Sequence, residues 1–411
     1  MRMYKHCGLR GTGRRAAGAL VLAMLFVSTG CDDNIESGTA SALRSSDGTV
    51  VWERPTEPMP VEVLTDGRHV ITLGFRGCHN SGHLAVLDAA SGREQWSIAT
   101  AGGFGRRAVA LAGDVVVNAS DGVVTALDID DGDELWSRGD LPAGDLLVAG
   151  IAGSTVVGVH EFDRTPGSSR LLSVDPTAGT TRWDVPLDGL GQVVDVAIVG
   201  ELLVARLMGN GRADAGRTTV VAVELADGSI RWQRDLGISE ISEPLMVAED
   251  HVVVALRTYS WTTTDEDGNV IDEMAPSASI VVLDTATGDE RWRIDREFDI
   301  SDDGVRDVQA MNTDESLVIA RDGEQFVALE ASTGAPLWSK SGSRSGAWIV
   351  DALVLSVPSQ WIDGREATLE GTDRTSGSTR WSRTTDGATA RAAGAGDLIF
   401  TVNYGRQPSC D

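Results

Sequence analysis

The stretch VVTALDIDDGDELW, residues 123–136, decides the fold. A short apolar run leads to an acid, a glycine follows four residues later, and a tryptophan follows four residues after that. The run is typical of a strand covered on both faces. The acid and glycine predict a tight turn, because a carboxylate can accept backbone N–H groups and glycine tolerates positive φ. The unit therefore predicts two antiparallel strands with the tryptophan on the returning one.

The same unit recurs along the whole chain. Seven complete copies are present: Asp88-Gly92-Trp96, Asp128-Gly132-Trp136, Asp175-Gly179-Trp183, Glu224-Gly228-Trp232, Asp284-Gly288-Trp292, Glu330-Gly334-Trp338 and Asp373-Gly377-Trp381. An eighth copy, Gly48 to Trp52, has Arg44 in the acidic position. Successive tryptophans lie 44, 40, 47, 49, 60, 46 and 43 residues apart. Such a period indicates a propeller or a solenoid.

A second pair of short strands precedes each unit, as at residues 112–117 and 249–254. Four strands per repeat indicate propeller blades, and no segment has a sustained helical period. We therefore predict an all-β, eight-bladed β-propeller of four-stranded antiparallel blades. A buried indole covers roughly 150 to 250 Å², so we expect the repeat tryptophans to dock neighbouring blades. These residues are Trp52, Trp96, Trp136, Trp183, Trp232, Trp292, Trp338 and Trp381.

The two chain ends are predicted to share one blade. The N-terminal copy, from Ala42 to Trp52, supplies only two outer strands. The segment at 395–400 resembles residues 112–117, and the chain ends before a third strand. The last blade is thus expected to combine N-terminal outer strands with C-terminal inner strands, which removes free sheet edges. The predicted propeller domain covers residues 41–411.

Residues 1–30 have the layout of an export signal. They contain no acid, five cations and an apolar run at 16–27 that is too short to cross a bilayer. The following VSTGC sequence, ending at Cys31, resembles the lipobox of bacterial lipoproteins. The resemblance implies cleavage after residue 30, a lipid anchor on Cys31 and a tether at 31–40. Plain secretion, or a twin-arginine signal at Arg14-Arg15, remains an alternative.

The two remaining cysteines, Cys78 and Cys410, are a candidate disulfide in an exported protein. Each would follow the second strand of its blade, in adjacent blades and on the same face. A bridge between them would lock the ring across the seam.

Net charge excludes several partners. The chain carries −26, and removal of residues 1–30 would bring this to about −31, with no run of Lys or Arg. Phosphate repulsion opposes nucleic-acid binding, and anionic lipid head groups are disfavoured for the same reason. We expect a monomer that meets the membrane only through its lipid anchor.

Residues 126–136 and 282–292 resemble the tryptophan-docking repeat of the quinoprotein (PQQ-like) propeller family, over residues 42–404. The family includes PQQ dehydrogenases, non-catalytic PQQ-like proteins and the lipoprotein of the outer-membrane barrel-insertion machinery. The dehydrogenases hold the quinone beside a disulfide between adjacent cysteines, with calcium bound by Glu, Asn and Asp. No adjacent cysteine pair exists here, so the resemblance implies a non-catalytic scaffold, without PQQ or calcium.

Insertions between second and third strands predict one loop-rich binding face. The longest, residues 259–277, contains Trp261 and predicts a protruding hairpin rather than a calcium loop, because Val270 replaces the glycine such a loop needs. Trp361 lies in another insertion, 358–365, and is a second candidate for a partner surface. His79 and His83 flank Cys78, but too few ligands accompany them to predict zinc.

The predicted function is binding, by a lipid-anchored propeller outside the cytoplasmic membrane, or in the periplasm or outer membrane if the cell has one. Its partner would be an envelope protein or another macromolecule. No catalytic residue is predicted. The alternative is a propeller enzyme with a central site, either a PQQ-dependent dehydrogenase or a hydrolase or lyase built from acids of several blades.

Overall fold

The computed structural model describes residues 38–56, 59–76, 81–101, 108–120, 122–141, 145–151, 154–160, 169–187, 189–209, 216–239, 245–258, 261–264, 270–274, 277–297, 308–323, 325–342, 344–358, 367–385 and 389–404. Within these ranges the secondary structure is strands and turns, and no helix is long and apolar enough to cross a membrane.

Two strands, β1 (Gly38–Arg44) and β2 (Val50–Thr56), precede the first sheet. The first sheet contains β3 (Met59–Thr65), β4 (His69–Arg76), β5 (Ser81–Asp88) and β6 (Glu94–Ala101). The second contains β7 (Val109–Leu111), β8 (Val115–Ser120), β9 (Val123–Asp128) and β10 (Glu134–Arg138). The third contains β11 (Asp145–Ile151), β12 (Ser154–His160), β13 (Arg170–Val174) and β14 (Thr181–Pro186). The fourth contains β15 (Gln192–Val199), β16 (Leu202–Met208), β17 (Arg217–Glu224) and β18 (Ile230–Ile238).

The fifth sheet contains β19 (Met246–Val247), β20 (His251–Thr258), β23 (Ser277–Asp284) and β24 (Glu290–Glu297), with a separate hairpin of β21 (Trp261–Thr264) and β22 (Val270–Met274) inserted between β20 and β23. The sixth contains β25 (Val308–Thr313), β26 (Leu317–Asp322), β27 (Gln325–Glu330) and β28 (Pro336–Ser341). The seventh contains β29 (Arg344–Val350), β30 (Leu353–Pro358), β31 (Ala367–Asp373) and β32 (Thr379–Thr385). Two last strands are β33 (Thr389–Ala395) and β34 (Leu398–Tyr404).

Apart from the hairpin β21–β22, the described strands form four-stranded antiparallel sheets, and in seven of these the four strands are paired in chain order. The strand β16 follows one of the apolar runs of the sequence and is buried along six of its seven residues. The predicted all-β propeller of four-stranded antiparallel blades is confirmed.

The closing sheet joins the two ends of the chain in the order β2-β1-β34-β33. Its central pair runs antiparallel from Gly38 opposite Tyr404 to Arg44 opposite Leu398. The N-terminal part therefore supplies the two outer strands and the C-terminal part the two inner ones. The first strand begins at Gly38, inside the segment predicted as a tether, because Gly38 to Ala42 pair with strands on both sides.

The strand order gives the ring two unlike faces. Connections from first to second strand and from third to fourth strand lie on one face, which we call the turn face; they range from pairs such as 200–201 to the six residues 175–180. Connections from second to third strand, and from one sheet to the next, lie on the opposite loop face. These extend as far as residues 259–276.

The core lies between neighbouring sheets. In one cluster, Leu147 of the third sheet packs with Leu203 and Val221 of the fourth, against the ring of Trp183. Another cluster joins Ala42 and Phe400 of the closing sheet to Val70 of the first. Burial of these faces holds the sheets together around the ring.

Candidate functional site

A tryptophan on the outer strand of each sheet links it to the next. Each indole Nε1 donates a hydrogen bond of 2.7 to 3.0 Å to a backbone carbonyl of the following sheet. The pairs are Trp52 to Ala89, Trp96 to Ile129, Trp136 to Pro176, Trp183 to Leu225, Trp232 to Thr285, Trp292 to Ala331, Trp338 to Arg374 and Trp381 to Ser45. The last pair returns to the closing sheet, so the set of links runs around the ring.

The repeat glycine receives the indole of the preceding sheet. Gly288 has φ of +70°, and a Cβ built there would lie 2.5 Å from the ring of Trp232. Gly92 has the same relation to Trp52, with φ of +65°. Sequence reasoning assigned these glycines to the turn conformation alone. Their second role, which is to leave space for the indole ring of the preceding sheet, follows only from the packing.

The acids of the repeat accept hydrogen bonds within their own turns. Asp88 accepts hydrogen bonds from the backbone N–H and the hydroxyl of Ser91, and these bonds lower the pKa of its carboxyl. At Asp175, the guanidinium of Arg182 and the backbone N–H of Ala178 lower the pKa to about 2. A carboxylate that is held ionised in this way is a poor proton donor or acceptor near neutral pH. The turn acids are structural groups.

Two buried histidines make further links that the sequence did not predict. His69, 2% exposed, bonds through Nδ1 to Asp66 at 2.9 Å, and its Nε2 lies 3.4 Å from Asp130 of the second sheet. His251, which is fully buried, bonds Asp250 through Nδ1 and Thr313 of the sixth sheet through Nε2. Both histidines open the second strand of their sheets, directly after a turn that contains an acid.

Several residues singled out from the sequence lie outside the described ranges: Cys31, Cys78, His79, Trp361 and Cys410. The predicted hairpin is observed as β21 and β22, in which Trp261 pairs with Met274. The side chain of Trp261 and the tip at 265–269 are outside the described part.

The Cys78–Cys410 disulfide therefore stays a prediction. The two preceding strands, β4 and β34, are the second strands of neighbouring sheets, and they end at Arg76 and Tyr404 on the loop face. This arrangement is the one on which the predicted bridge depends.

Within the described ranges, no group of three His, Cys, Asp or Glu side chains is placed to hold a metal ion. The sequence also lacks the adjacent cysteine pair that lies beside the quinone in the dehydrogenases. That neither PQQ nor calcium is bound stays a prediction.

Sheets linked in succession by a repeated indole define the class of this molecule: it is a tryptophan-docked β-propeller. The chain belongs to the family described as outer membrane protein assembly factor BamB, whose repeat matches residues 36–271 and 276–404. It is 24% identical over 227 residues to the outer membrane protein assembly factor BamB of Yersinia pestis, over 55% of this chain and 51% of the relative. The match thus spans about half the length of that relative.

Solved structures share the fold. Apo AztD from Citrobacter koseri superposes with a TM-score of 0.54 at 10% identity, over 90% of this chain and 99% of that one. Quinohemoprotein alcohol dehydrogenase from Comamonas testosteroni gives a TM-score of 0.52 at 12% identity, over 92% and 78% of the two chains. At such identities the likeness concerns the architecture, which serves unrelated functions.

Proposed function

We propose that this protein is a lipid-anchored, extracytoplasmic scaffold that binds an envelope protein through its loop face. The proposal rests on the difference between the connections on the two faces. On the turn face, short connections satisfy their polar groups internally, as at Asp175 and Asp373. On the loop face, the longest connection is residues 259–276, which include the added hairpin β21–β22. Variable loops on a rigid frame are the usual location of binding residues.

The relative from Yersinia pestis is named as an outer membrane protein assembly factor, which supports a role in protein assembly at an envelope. We infer that the eight four-stranded sheets are the eight blades of one closed ring. A closed ring gives the loops a rigid base, so a partner would not have to order the frame on binding. The partner we propose is a membrane-assembly protein, bound by one copy of this chain.

The binding face can be tested by photo-crosslinking in the native envelope. We expect a photoreactive amino acid at position 261 on the loop face to yield a specific adduct with an envelope protein, identifiable by mass spectrometry. The matched control carries the same group at Glu201, in a two-residue turn-face connection, and should give none. Equal adducts from both positions, or adducts at Glu201 alone, would refute binding through the loop face.

The proposed lipid anchor on Cys31 is tested by a separate measurement. Metabolic labelling with a fatty-acid analogue should mark the full chain and not the Cys31→Ser variant, and that variant should leave the membrane fraction. Labelling that persists in Cys31→Ser would exclude this anchor. If the purified protein instead reduced a dye after addition of PQQ and Ca²⁺, the enzyme alternative would replace the scaffold.

A further inference from the structure

A cavity of about 240 Å³ lies at the seam, between the closing sheet and the first sheet. Arg54 and Thr56 line it from β2, Thr72 from β4, and His83 from β5. Glu94 stands at its turn-face end. The volume is far more than one water molecule needs.

The cavity exists because small and polar residues occupy positions that are apolar at another junction. Between the third and fourth sheets, Val185 and Leu187 follow the docking Trp183 by two and four residues, and they pack against Leu207 and Val221.

At the seam the corresponding positions after Trp52 are Arg54 and Thr56. Gly74 holds the position of Leu207, five residues into the second strand, and Ala85 holds that of Val221, three residues before the turn acid. Large apolar side chains are thus replaced by a space bordered by polar groups.

Arg54 also differs from two cations in the corresponding position at other junctions. Arg138 donates to Thr181 at 2.7 Å, and Arg234 donates to the carbonyl of Gly288 at 2.6 Å, in each case to the next sheet. No described residue forms an ion pair or hydrogen bond with the Arg54 side chain. Its guanidinium is therefore available to a ligand.

Two further polar groups in the cavity have no hydrogen-bond partner among the described residues. The hydroxyl of Thr56 is buried and has no hydrogen-bond partner among the described residues. The ring of His83 likewise makes no hydrogen bond in the described part of the chain. Buried polar groups are normally satisfied, so the unpartnered hydroxyl of Thr56 indicates a bound water or ligand; His83 is half-buried beside it.

We propose that this cavity binds a small monocarboxylate. The guanidinium of Arg54 is suited to hold the carboxylate through paired charge-assisted hydrogen bonds, and Thr56 and His83 supply further donors. Ala85 and Leu87 offer apolar surface to a short alkyl chain. Glu94 opposes a second carboxylate by like-charge repulsion, so dicarboxylates bind more weakly. This site lies between sheets and is independent of any partner on the loop face.

Titration calorimetry on the intact protein tests the proposal, with butyrate, succinate and butyramide as probes. We expect saturable binding of butyrate, with succinate and butyramide at least roughly tenfold weaker. Arg54→Gln should weaken butyrate binding by a similar factor. The matched control is Arg383→Gln, which changes the cation two residues after Trp381 at the neighbouring junction and should leave binding unchanged.

A second variant fills the space. Gly74→Leu places at the seam the side chain found at Leu207 and Leu256, and it should abolish butyrate binding while the thermal transition is kept. Absence of saturable butyrate binding in the unmodified protein would overturn the proposal. So would equal binding by Arg54→Gln, or equal heats from butyrate and chloride, which would indicate an adventitious anion effect only.

Discussion

At the residue scale, one glycine serves two purposes in each repeat. Positive φ is strained for any residue with a Cβ, and at Gly288 that atom would also collide with the ring of Trp232. In a turn with positive φ but open space around the glycine, only the backbone strain opposes a Cβ. Gly200, with φ of +55° and no atom within 4 Å of the position a Cβ would take, is such a turn.

This difference can be measured by alanine substitution. Gly288→Ala should lower the free energy of unfolding by about 2 to 4 kcal/mol, because backbone strain and overpacking add. Gly200→Ala should cost about 1 kcal/mol, from strain alone. Denaturant unfolding of both variants checks this expectation, and equal losses would show that the indole contact contributes nothing.

The pH dependence of one turn acid follows from its hydrogen bonds. The pKa of Asp175 in the folded state is about 2, below the ordinary 3.8, so its ionised form is favoured by folding. Its contribution to stability is complete above about pH 4 and is lost as the pH falls through about 2. Asp175→Asn should therefore cost under about 1 kcal/mol near neutral pH, because the site is solvent-screened. The cost should vanish near pH 2; a cost that does not change with pH would contradict this assignment.

Residue spacing located the docking tryptophans and the turn acids, since both repeat at one phase. It did not indicate that His69 and His251 link neighbouring sheets, because the partner of His251 lies 62 residues away. Spacing did not indicate Arg54 either, because its role follows from contacts that Arg138 and Arg234 make and Arg54 does not.

At the element scale, the hairpin β21–β22 forms a sheet of its own and is not paired with the fifth sheet. Its removal leaves a natural joining point, because Thr258 and Ser277 face each other as the last pair of β20 and β23. A two-residue Asn-Gly turn can connect such a pair.

Replacement of residues 259–276 by Asn-Gly should change the free energy of unfolding by less than about 1 kcal/mol, as for other surface changes. Under the proposed function, the same variant should lose its envelope partner in a pull-down. A matched control replaces Glu201, in the turn-face connection 200–201, by alanine and should retain the partner. If the hairpin variant retains the envelope partner, the hairpin is not part of the binding surface.

Element type and order were predictable, because alternating apolar runs and turn residues repeat with a near-constant period. The boundary of β1 was not, since Gly38 to Ser41 lack a strong apolar pattern and owe their extended conformation to pairing with β34. Tertiary pairing there outweighs local propensity.

At the scale of the whole molecule, the chain ends meet in the closing sheet, where Gly38 and Tyr404 are paired residues. A short turn from Tyr404 to Gly38, with new ends opened within residues 359–366, should give a circular permutant with the same fold. We expect its free energy of unfolding to lie within about 1 kcal/mol of a parent spanning residues 38–404. A linear chain that begins at residue 57 lacks β1 and β2 and should lose the cooperative transition, as calorimetry would show.

The predicted bridge between Cys78 and Cys410 would act at the same seam. If it forms, reduction should destabilise the ring by about 4 to 5 kcal/mol, because the bridge closes a loop of over 300 residues. Mass spectrometry of the non-reduced protein detects the bond, and denaturant unfolding of the protein and of Cys78→Ser measures its effect on stability. Two free thiols in the exported protein would refute it.

Closure by both ends also sets the order of events during synthesis. Strands β1 and β2 leave the ribosome first, yet their neighbour β34 begins only at Leu398. At about 5 to 20 residues per second, those two strands wait roughly 20 to 70 s for a partner. A chain that is interrupted at any earlier point is an incomplete propeller with two unpaired sheet edges, which proteases and chaperones can recognise. Completion of the last strand is thus the moment at which the molecule becomes resistant to them.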